Sequence, residues 1–336
     1  MDQVVAAFRA IGERLHDPED VKADFTGRNV IVTGSNCGIG FEAAVKFVQL
    51  GAEKVILAVR SSPKGEVARK LIEERAGRDG VVEVWLLDMM DYGSLRAFAQ
   101  KVNEELDHID VVVLNAACIA VNFEPSRYGW DRTLQINTLS TALLSLLLLP
   151  KLRASKTPEY TPVLLLVSSG THQHASLSET AREAESPLEV YNVKNRTGLF
   201  QYSMSKLFLQ YALASMVKRL AASHGDAPPV FIISVCPGPC RSEIARDSTQ
   251  WYMRAARVVL TPILLKPAEA GARLYISAIA LGEKGHGRFW QQDRLREPAP
   301  ALVGPENEAL REKVWREILR ILTEKVPEVE KLAQDI

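Results

Sequence analysis

The sequence has no excess of charge of either sign. Its 336 residues include 41 basic and 41 acidic side chains, so the formal net charge is zero. Such a chain lacks the basic surplus with which proteins bind nucleic acid or an anionic membrane, and we expect a small-molecule or protein partner instead. Residues of hydrophobic type make up 47% of the chain. That share is enough for a large buried core and indicates a globular protein.

Cysteine is also scarce. The four cysteines are Cys37, Cys118, Cys236 and Cys240, and the last two lack the spacing of a zinc or redox pair. So few cysteines in a chain of this length favour a reducing, intracellular setting. We therefore predict a cytoplasmic protein.

Long apolar runs are missing as well. The longest run, "LSTALLSLLLLP" from Leu139 to Pro150, falls short of the roughly 20 residues that a membrane-spanning helix needs, and it predicts a buried helix. The N-terminal stretch mixes acidic and basic side chains, which argues against a signal peptide and predicts a short amphipathic helix ending near Pro18. The sequence thus predicts no transmembrane segment, and it leaves peripheral association with a membrane open.

Short aliphatic or β-branched runs alternate with helical patterns along the chain. In the first helical segment Ala43, Ala44 and Phe47 recur on one face. Because the runs are apolar on both faces, they predict an α/β protein with a doubly wound, Rossmann-like parallel sheet covered by helices on each side. The predicted strands are Asn29–Gly34, Lys54–Val59, Val81–Leu87, Asp110–Asn115, Pro162–Ser169 and Val230–Gly238.

No internal repeat or flexible linker divides the chain. We predict one domain over residues 25–300, an N-terminal helical extension at 1–24 and a C-terminal helical extension at 301–336. Two variable segments within the domain, 170–201 and 243–266, are expected to form substrate loops, since long loops are often functional.

The stretch "VTGSNCGIG" follows the first predicted strand and opens the first helix. Unsatisfied backbone N–H groups and the helix dipole favour a bound anion at such a position. Gly34 permits a tight turn, Gly38 lets the backbone approach a phosphate, and Gly40 allows close packing of the helix. The motif predicts a nucleotide-binding loop, with a purely structural turn as the alternative.

The stretch "QYSMSK" places Tyr202 and Lys206 four residues apart, on one face of a helix. A phenol titrates near pH 10 in water, so proton exchange at neutral pH needs a nearby positive charge, which Lys206 can supply. Two adjacent serines, Ser168 and Ser169, stand at the end of the fifth strand, and a hydroxyl there can stabilise charge developing on a substrate oxygen. A chance spacing of Tyr202 and Lys206 and a local backbone cap at Ser169 are the alternatives.

The spacing Gly-x-x-x-Gly-x-Gly after Thr33, with the downstream motifs in order, resembles the short-chain dehydrogenase/reductase family over about Phe25 to Phe289. The C-terminal stretch "GEKGHGRFWQQD" is similar to fungal members that work in specialised metabolism, and retinol-dehydrogenase-like members share the general pattern. The resemblance implies an oxidoreductase that transfers a hydride between a nicotinamide cofactor and a carbonyl or alcohol carbon.

The resemblance also implies the choice of cofactor. Arg60 stands where members that prefer NAD carry an acidic residue, and it would face the additional phosphate of NADP with support from Lys64. Cys37 stands where many NADP-preferring members carry a basic residue, so the choice depends on Arg60. NADP(H) is therefore predicted over NAD(H), and solvated surface charges are the alternative for Arg60 and Lys64.

Further cofactor contacts come from the same resemblance. Asp88 sits beside the adenine ring in the family pattern, and "LNAAC" is a variant of the family's Asn-Asn-Ala-Gly segment in which Leu114 and Ala117 depart from it. The turn "CPGPCRS" would lie against the nicotinamide, with Ser242 in place of a threonine. The implied cofactor-binding residues are Gly34, Asn36, Cys37, Gly38, Ile39, Gly40, Arg60, Lys64, Asp88, Met89, Asn115, Ala116, Tyr202, Lys206, Pro237, Gly238 and Ser242.

The implied catalytic residues are Asn137, Ser169, Tyr202 and Lys206. Tyr202 would donate the proton to oxygen while Ser169 orients that oxygen. Lys206 would lower the pKa of Tyr202 and hold the nicotinamide ribose. The backbone of Asn137 would help hold a water that links Lys206 to solvent, and its alternative is a polar kink point in a buried helix.

The substrate is predicted from the variable segments. Residues 170–201 should overhang the reacting carbon, and their His172 and His174 fit surface or substrate contact better than a metal site. Apolar residues in 243–266 predict a lid over a lipophilic substrate, such as a polyketide or terpenoid ketone. These are Ile244, Trp251, Tyr252, Val258 and Val259.

Two other functions remain open at this point. One is a non-redox isomerase, cyclase or dehydratase that uses the same tyrosine. The other is a catalytically silent NADP-binding sensor or scaffold. A homodimer through the apolar helix at Leu139–Leu149 is a further prediction, with internal packing of that helix as the alternative.

Overall fold

The centre of the molecule is a mostly parallel β-sheet. The computed structural model describes residues 16–224, 227–241 and 265–336. Within these residues eight strands follow the order β3-β2-β1-β4-β5-β6-β7-β8, and all neighbours are parallel except the last pair. The strands are β1 Asn29–Thr33, β2 Lys54–Val59, β3 Val82–Leu86, β4 Val111–Leu114, β5 Val163–Val167, β6 Phe231–Cys236, β7 Phe289–Gln291 and β8 Arg294–Arg296.

The central strands are buried on both faces, as expected of a parallel sheet between two helical layers. Every residue of β1, β4 and β5 is buried. The predicted α/β fold and all six predicted strands are confirmed. Strands β2 and β3 lie on one side of β1, and β4, β5 and β6 lie on the other side. Because the strand order reverses between β1 and β4, the carboxyl ends of these two strands form a crevice of the kind in which ligands bind.

Helices cover both faces of the sheet. The helices are α1 Gly38–Gln49, α2 Ser62–Ala76, α3 Tyr92–Glu105, α4 Arg132–Ala154, α5 Glu179–Glu183, α6 Gly198–His224, α7 Ala268–Ala280, α8 Pro305–Thr323 and α9 Glu328–Gln334. Apolar residues of α1, α2 and α7 form the core on one face. Those of α3, α4, α6, α8 and α9 form the core on the other.

Helix α4 is longer than the apolar run from which it was predicted. It is 23 residues long and apolar enough to cross a membrane by length and composition, yet 83% of its most apolar window is buried inside the protein. Leu143, Leu144 and Leu146 are among the side chains packed in the core. Of the two alternatives for this helix, internal packing is the one observed within a single chain.

Two short strands were missed by the sequence analysis. Strands β7 and β8 have three residues each, too few for a periodic pattern. The C-terminal extension contains two helices, since Pro327 removes a backbone donor and separates α9 from α8.

The residues before the sheet carry no helix where they are described. Residues 16–24, which we call the N-terminal strap, have no regular secondary structure, and the rest of the predicted N-terminal helix lies outside the described residues. The Lys46 Nζ of α1 lies 2.7 Å from an Asp20 carboxylate oxygen and 2.8 Å from one of Glu269 on α7. His16 contacts Asp293 in the β7–β8 turn at 2.8 Å. The strap thus ties α1, α7 and the β7–β8 turn together.

Candidate active site

A cavity of about 400 Å³ lies at the carboxyl ends of the parallel strands. It is lined by segments that follow β1 to β6, and by α4, α6 and α7. The lining residues are Gly34, Asn36, Cys37, Gly38, Ile39, Ala58, Arg60, Leu87, Asp88, Met89, Asn115, Ala116, Ala117, Cys118, Ile119, Arg132, Ile136, Val167, Ser168, Tyr202, Lys206, Pro237, Gly238, Pro239, Cys240 and Tyr275.

The glycine-rich loop forms one wall of the cavity. Gly34 and Gly38 both have positive φ, of 65° and 60°, a conformation that other residues rarely adopt. Helix α1 begins at Gly38 with no side-chain cap and no acidic residue in its first turn. Its first backbone N–H groups therefore have neither a helical partner nor a competing carboxylate, which suits an anion at this end.

Asn115 holds this loop in position from the neighbouring strand. Its side-chain amide donates to the Thr33 carbonyl at 2.8 Å, and its amide oxygen accepts from the Tyr275 hydroxyl at 2.9 Å. A Cβ at Gly40 would lie only 2.5 Å from the same Asn115 amide nitrogen. Gly40 does not line the cavity, so its absent side chain makes room for Asn115 and lets α1 pack closely.

The residues predicted for the adenosine end follow β2 and β3. Arg60 lines the cavity, is exposed, and has no ion pair among the described residues. Lys64 is exposed in the first turn of α2 and does not line the cavity. Asp88 and Met89 line it, and the Asp88 carboxylate accepts from the Met90 backbone at 2.9 Å.

Tyr202 and Lys206 project from α6 into the cavity. The Lys206 Nζ lies 5.7 Å from the centroid of the Tyr202 ring and donates to the Val167 carbonyl at 2.8 Å. Burial lowers the pKa of Lys206 to about 8. Burial also raises the pKa of Tyr202, and the neighbouring Ser169 hydroxyl opposes that rise. The pKa of Tyr202 is therefore raised, whereas Lys206 was predicted to lower it, and Tyr202 stays protonated at neutral pH.

Ser169 and Ser168 follow β5 side by side but have different surroundings. The Ser169 hydroxyl accepts from the Thr171 backbone at 3.3 Å and from the Thr171 hydroxyl at 3.1 Å, and it is close enough to Tyr202 to affect the pKa of that phenol. Ser168 lines the cavity, is only 2% exposed, and its hydroxyl has no partner among the described residues. Of the two adjacent serines, Ser169 is the one beside the tyrosine.

His172 supports the segment that carries Ser168 and Ser169. Its Nδ1 lies 2.6 Å from the Ser169 carbonyl, and its ring meets Phe289 edge to face. Burial lowers the pKa of His172 to about 4, so the ring is neutral at physiological pH. His174 is exposed, and no cluster of three metal-ligating side chains occurs in the part of the chain that the structure describes.

Asn137 is buried behind the cavity wall. It lies in a π-helical segment of α4, Gln135–Ser140. Its side chain accepts from the Cys118 N–H and donates to the Cys118 carbonyl, both at 2.9 Å, and also donates to Ser205 at 3.0 Å. These contacts fix the segment that carries Cys118 next to Lys206.

The turn after β6 closes the cavity. Pro237 and Gly238 line it, and Gly238 has a φ of 76°. The Cys236 sulfur accepts from the backbone N–H groups of Gly170 and Gly238, at 3.3 and 3.4 Å. One sulfur therefore joins the loops that follow β5 and β6. Ser242 and nearly all of the predicted lid, 243–266, lie outside the described residues.

The segment 170–201 packs onto the C-terminal helix α8. Lys313 donates to two of its backbone carbonyls at 2.9 Å. The buried Glu317 carboxylate accepts from the N–H groups of Leu188 and Glu189, at 2.8 and 3.2 Å. No residue of 170–201 lines the cavity that the described residues form, although this segment was expected to overhang the reacting carbon.

Several lining residues were not identified from the sequence. Tyr275 is the clearest case, because its contact with Asn115 spans 160 residues of chain and no local sequence pattern indicates it. Arg132 and Ile136 are one helical turn apart at the start of α4, a spacing that could have been noticed. Cys118 and Cys240 also line the cavity, and both are free thiols.

The residues of the cavity fit a nicotinamide dinucleotide. A helix N-terminus without a cap or an acidic side chain stands at one wall, and a tyrosine, lysine and serine stand near the other end. Ser168 also lines this space. The chain therefore offers an anion site and a proton-donating site within one crevice.

Comparison with known proteins agrees with this geometry. The family model for short chain dehydrogenases matches residues 28–172. The short-chain dehydrogenase/reductase ffsI of Aspergillus flavipes is 36% identical over 95% of this chain and 93% of its own. The short-chain dehydrogenase/reductase phmF of Phaeosphaeria nodorum is 35% identical over 93% and 91% of the two chains.

Solved structures share the fold at lower identity. A short chain dehydrogenase from Shigella flexneri complexed with NADP has a TM-score of 0.57 and 20% identity, with 82% of this chain and 100% of the other covered. The Pseudomonas aeruginosa RhlG/NADP complex has a TM-score of 0.58 and 21% identity, with coverages of 79% and 94%.

The chain belongs to the short-chain dehydrogenase/reductase family. The predicted resemblance to this family and to its fungal members is confirmed. Members of this family use a nicotinamide cofactor and act on small-molecule substrates, and this general description applies to the chain.

Proposed function

We propose that the protein is an NADP(H)-dependent reductase of a lipophilic ketone or aldehyde, with the reverse oxidation of the alcohol open to the same residues. The observation that carries the proposal is that Tyr202 and Lys206 line the same cavity as the glycine-rich loop. A bound NADPH would supply a hydride to the carbonyl carbon. Hydride delivery leaves negative charge on the substrate oxygen, which this chain's own groups must neutralise.

Tyr202 is the proton donor in this proposal. Its raised pKa keeps the phenol protonated at neutral pH, and the Ser169 hydroxyl lies beside it. As charge develops on the substrate oxygen, the Ser169 hydroxyl can donate to that oxygen while Tyr202 transfers its proton. The Lys206 ammonium lies near enough to stabilise the phenolate that remains. Asn137 supports this group of residues through its hydrogen bonds to Cys118 and to Ser205, and its backbone would help hold a water that links Lys206 to solvent.

Preference for NADP rests on Arg60 in this proposal. Arg60 is exposed at the cavity, without an ion pair among the described residues, and precedes a helix with no acidic residue in its first turn. A phosphate at this end would gain a charge-assisted hydrogen bond and the field of the helix N-terminus. Lys64 adds positive charge in the same turn. The two solved relatives that contain NADP are consistent with this choice.

A lipophilic substrate fits the apolar side chains near the cavity. Ile119 lines the cavity, and Val121 shortly after it is exposed. Leu199 and Phe200, just before Tyr202, are more than half exposed. The backbone hydrogen bond from Gly198 to Ala120, 3.0 Å long, brings these two segments together. Such an edge would receive an apolar molecule, and the fungal relatives favour a compound of specialised metabolism.

Replacing the tyrosine tests the mechanism. Tyr202→Phe should lower turnover by at least about 100-fold, because the general acid is lost, and should leave NADPH affinity within about threefold. Tyr211→Phe is the matched control, since Tyr211 lies on the same helix and its hydroxyl donates to the Ala301 carbonyl away from the cavity. NADPH absorbance with a panel of lipophilic ketones measures turnover. Near-normal turnover of Tyr202→Phe would refute the assigned role.

The same assay separates the alternatives. Product formed without consumption of NADPH would indicate a non-redox isomerase, cyclase or dehydratase. Tight NADPH binding with no turnover on any compound would indicate a sensor or scaffold. Homodimer formation stays a prediction of its own, to be measured by light scattering.

Replacing the arginine tests the cofactor. Arg60→Asp should lower kcat/KM for NADPH by roughly 10- to 100-fold, the range expected when a hydrogen bond to a charged group is lost, and should change kcat/KM for NADH far less. Arg316→Asp, an exposed arginine on α8, controls for the change in net charge. Equal effects on the two cofactors would contradict the preference for NADP.

A further inference from the structure

We propose that Cys236 is a positioning residue for the reaction, whose sulfur sets the place of Ser169 relative to the turn after β6. This inference rests on the proposed function. Cys236 is the last residue of β6 and is only 6% exposed. It does not line the cavity that the described residues form, so it acts on substrate and cofactor only through the segments that it holds.

The sulfur of Cys236 connects the two segments that follow β5 and β6. It accepts from the Gly170 N–H at 3.3 Å and from the Gly238 N–H at 3.4 Å. The backbone pairing of the two strands ends just past them, where the Ser168 N–H donates to the Val235 carbonyl. Beyond that point no backbone hydrogen bond between the described residues joins the two segments. The sulfur therefore continues the connection where the sheet has ended.

The Gly170 N–H belongs to the same rigid unit as the Ser169 carbonyl. A trans peptide unit is planar, and its N–H and C=O point in opposite directions. The Ser169 carbonyl is held by His172, whose Nδ1 lies 2.6 Å away and whose backbone N–H donates to it at 3.2 Å. Cys236 holds the opposite edge through the N–H. Because β5 fixes the backbone before Ser169, the backbone is then held on both sides of this residue.

Gly170 also contacts the end of the next strand, β7. A Cβ at Gly170 would lie 2.7 Å from the side-chain amide nitrogen of Gln291. Gln291 is the residue that pairs with Cys236 between β6 and β7. The peptide unit after Ser169 thus rests on the ends of both strands. Removal of the sulfur would leave space at the end of β6, into which this peptide unit can shift.

The spacing that the sulfur sets matters most for hydride transfer. In the proposed function Ser169 and Tyr202 hold the substrate oxygen, whereas Gly238 lines the part of the cavity that is proposed for the nicotinamide. The two reacting carbons are positioned from these two sides, and a misplacement of about 1 Å can lower a rate by about 100-fold. Affinity for NADPH depends on many contacts elsewhere in the cavity. Loss of the sulfur should therefore lower the rate more than the affinity.

Sulfur suits this position better than oxygen. An N–H group approaches an oxygen acceptor to about 2.7–3.2 Å, and both contacts of Cys236 are longer than that. A serine, whose Cβ–O bond is also shorter than a Cβ–S bond, would reach both N–H groups only if the two segments moved toward it. Because sulfur is a weak acceptor, its contacts should contribute little to stability.

Two substitutions and one control test the proposal in the full chain. Cys236→Ala removes the acceptor, and Cys236→Ser keeps one on a shorter side chain. Ser234→Ala is the matched control, because Ser234 lies on the same side of β6, is fully buried, and donates to the Arg288 carbonyl at 3.3 Å outside the cavity. Calorimetry measures NADPH affinity, and stopped-flow absorbance measures the first hydride transfer to a ketone that wild type reduces. Steady-state assays give KM, and urea unfolding verifies that each variant is folded.

We expect Cys236→Ala to slow hydride transfer by roughly 10- to 100-fold, with NADPH affinity and KM within about threefold of wild type. Cys236→Ser should recover part of the rate, and Ser234→Ala should transfer hydride like wild type. A rate for Cys236→Ala no lower than that of Ser234→Ala would overturn the proposal. A loss confined to NADPH affinity or to KM would do the same, as would a Cys236→Ser variant no faster than Cys236→Ala.

These measurements separate the inference from the proposed function. Wild type that binds NADPH but transfers hydride to no ketone would overturn the proposed function, and this inference with it. Wild type that reduces ketones, together with an unimpaired Cys236→Ala variant, would overturn this inference alone.

Discussion

Replacement of Gly40 by alanine should destabilise the protein through Asn115. The new Cβ would lie 2.5 Å from the Asn115 amide nitrogen and 2.9 Å from the Gly34 carbonyl oxygen, so the Asn115 side chain has to move. Movement breaks its hydrogen bonds with the Thr33 carbonyl and the Tyr275 hydroxyl, both of which belong to fully buried residues.

The size of the effect follows from these contacts. Two buried groups left unpaired cost about 1–3 kcal/mol each, and the higher helix propensity of alanine offsets at most about 1 kcal/mol. Gly40→Ala should therefore lower the free energy of unfolding by about 2–4 kcal/mol. Urea unfolding followed by circular dichroism measures this change. NADPH affinity should fall as well, since the displaced amide supports the glycine-rich loop.

A double-mutant cycle tests the reasoning. In an Asn115→Ala background the hydrogen bonds are already lost and the closest clash is removed, so Gly40→Ala should cost at least about 1 kcal/mol less than in wild type. The close contact of the new Cβ with the Gly34 carbonyl oxygen remains in this background, so part of the destabilisation persists. If the losses in unfolding free energy of the two single variants add up to that of the double variant, the role assigned to Asn115 is refuted. A Gly40→Ala variant as stable as wild type would refute it as well.

Two predictions concern pH. Because Lys206 has a pKa of about 8 and its charge supports Tyr202, the rate of reduction should fall as pH rises through about 8, and Lys206→Arg, whose guanidinium stays charged, should move that fall to higher pH. Burial raises the pKa of Glu317 to about 7, so its ionised form is disfavoured in the folded state and stability should decline by up to about 3 kcal/mol as pH rises from 4.5 to 7. Glu317→Gln should remove most of that decline in pH-dependent urea unfolding, whereas Glu312→Gln, on the same helix and paired with Arg219, should keep it.

Features with a strong local pattern could be predicted from the sequence. The strands of the parallel sheet are short, apolar and regularly spaced, and the glycine-rich loop has a steric reason for each glycine. Tyr202 and Lys206 are neighbours on one helix face, so their joint position in the cavity follows from four residues of spacing. Local sequence carries this information because the interactions themselves are local.

Features that depend on distant contacts or on burial could not be predicted. Tyr275 reaches Asn115 across 160 residues, and Glu317 reaches Leu188 across 129. The pKa of Tyr202 was expected to fall because spacing reveals the nearby lysine, whereas the burial that raises it is known only from the folded chain. The packing of segment 170–201 on α8 is likewise known only from the folded chain.

The N-terminal strap lies outside the residues that the family model matches, yet it contacts the folded domain. The match to the family model begins at residue 28, but Asp20 and His16 precede it and contact Lys46 and Asp293. Lys46 lies on the helix that begins at the glycine-rich loop, and it is largely buried. A chain shortened to begin at residue 25 would leave Lys46 with Glu269 as its one described carboxylate partner. Trimming the protein to the residues of the domain would thus weaken the support of the helix that begins at the glycine-rich loop.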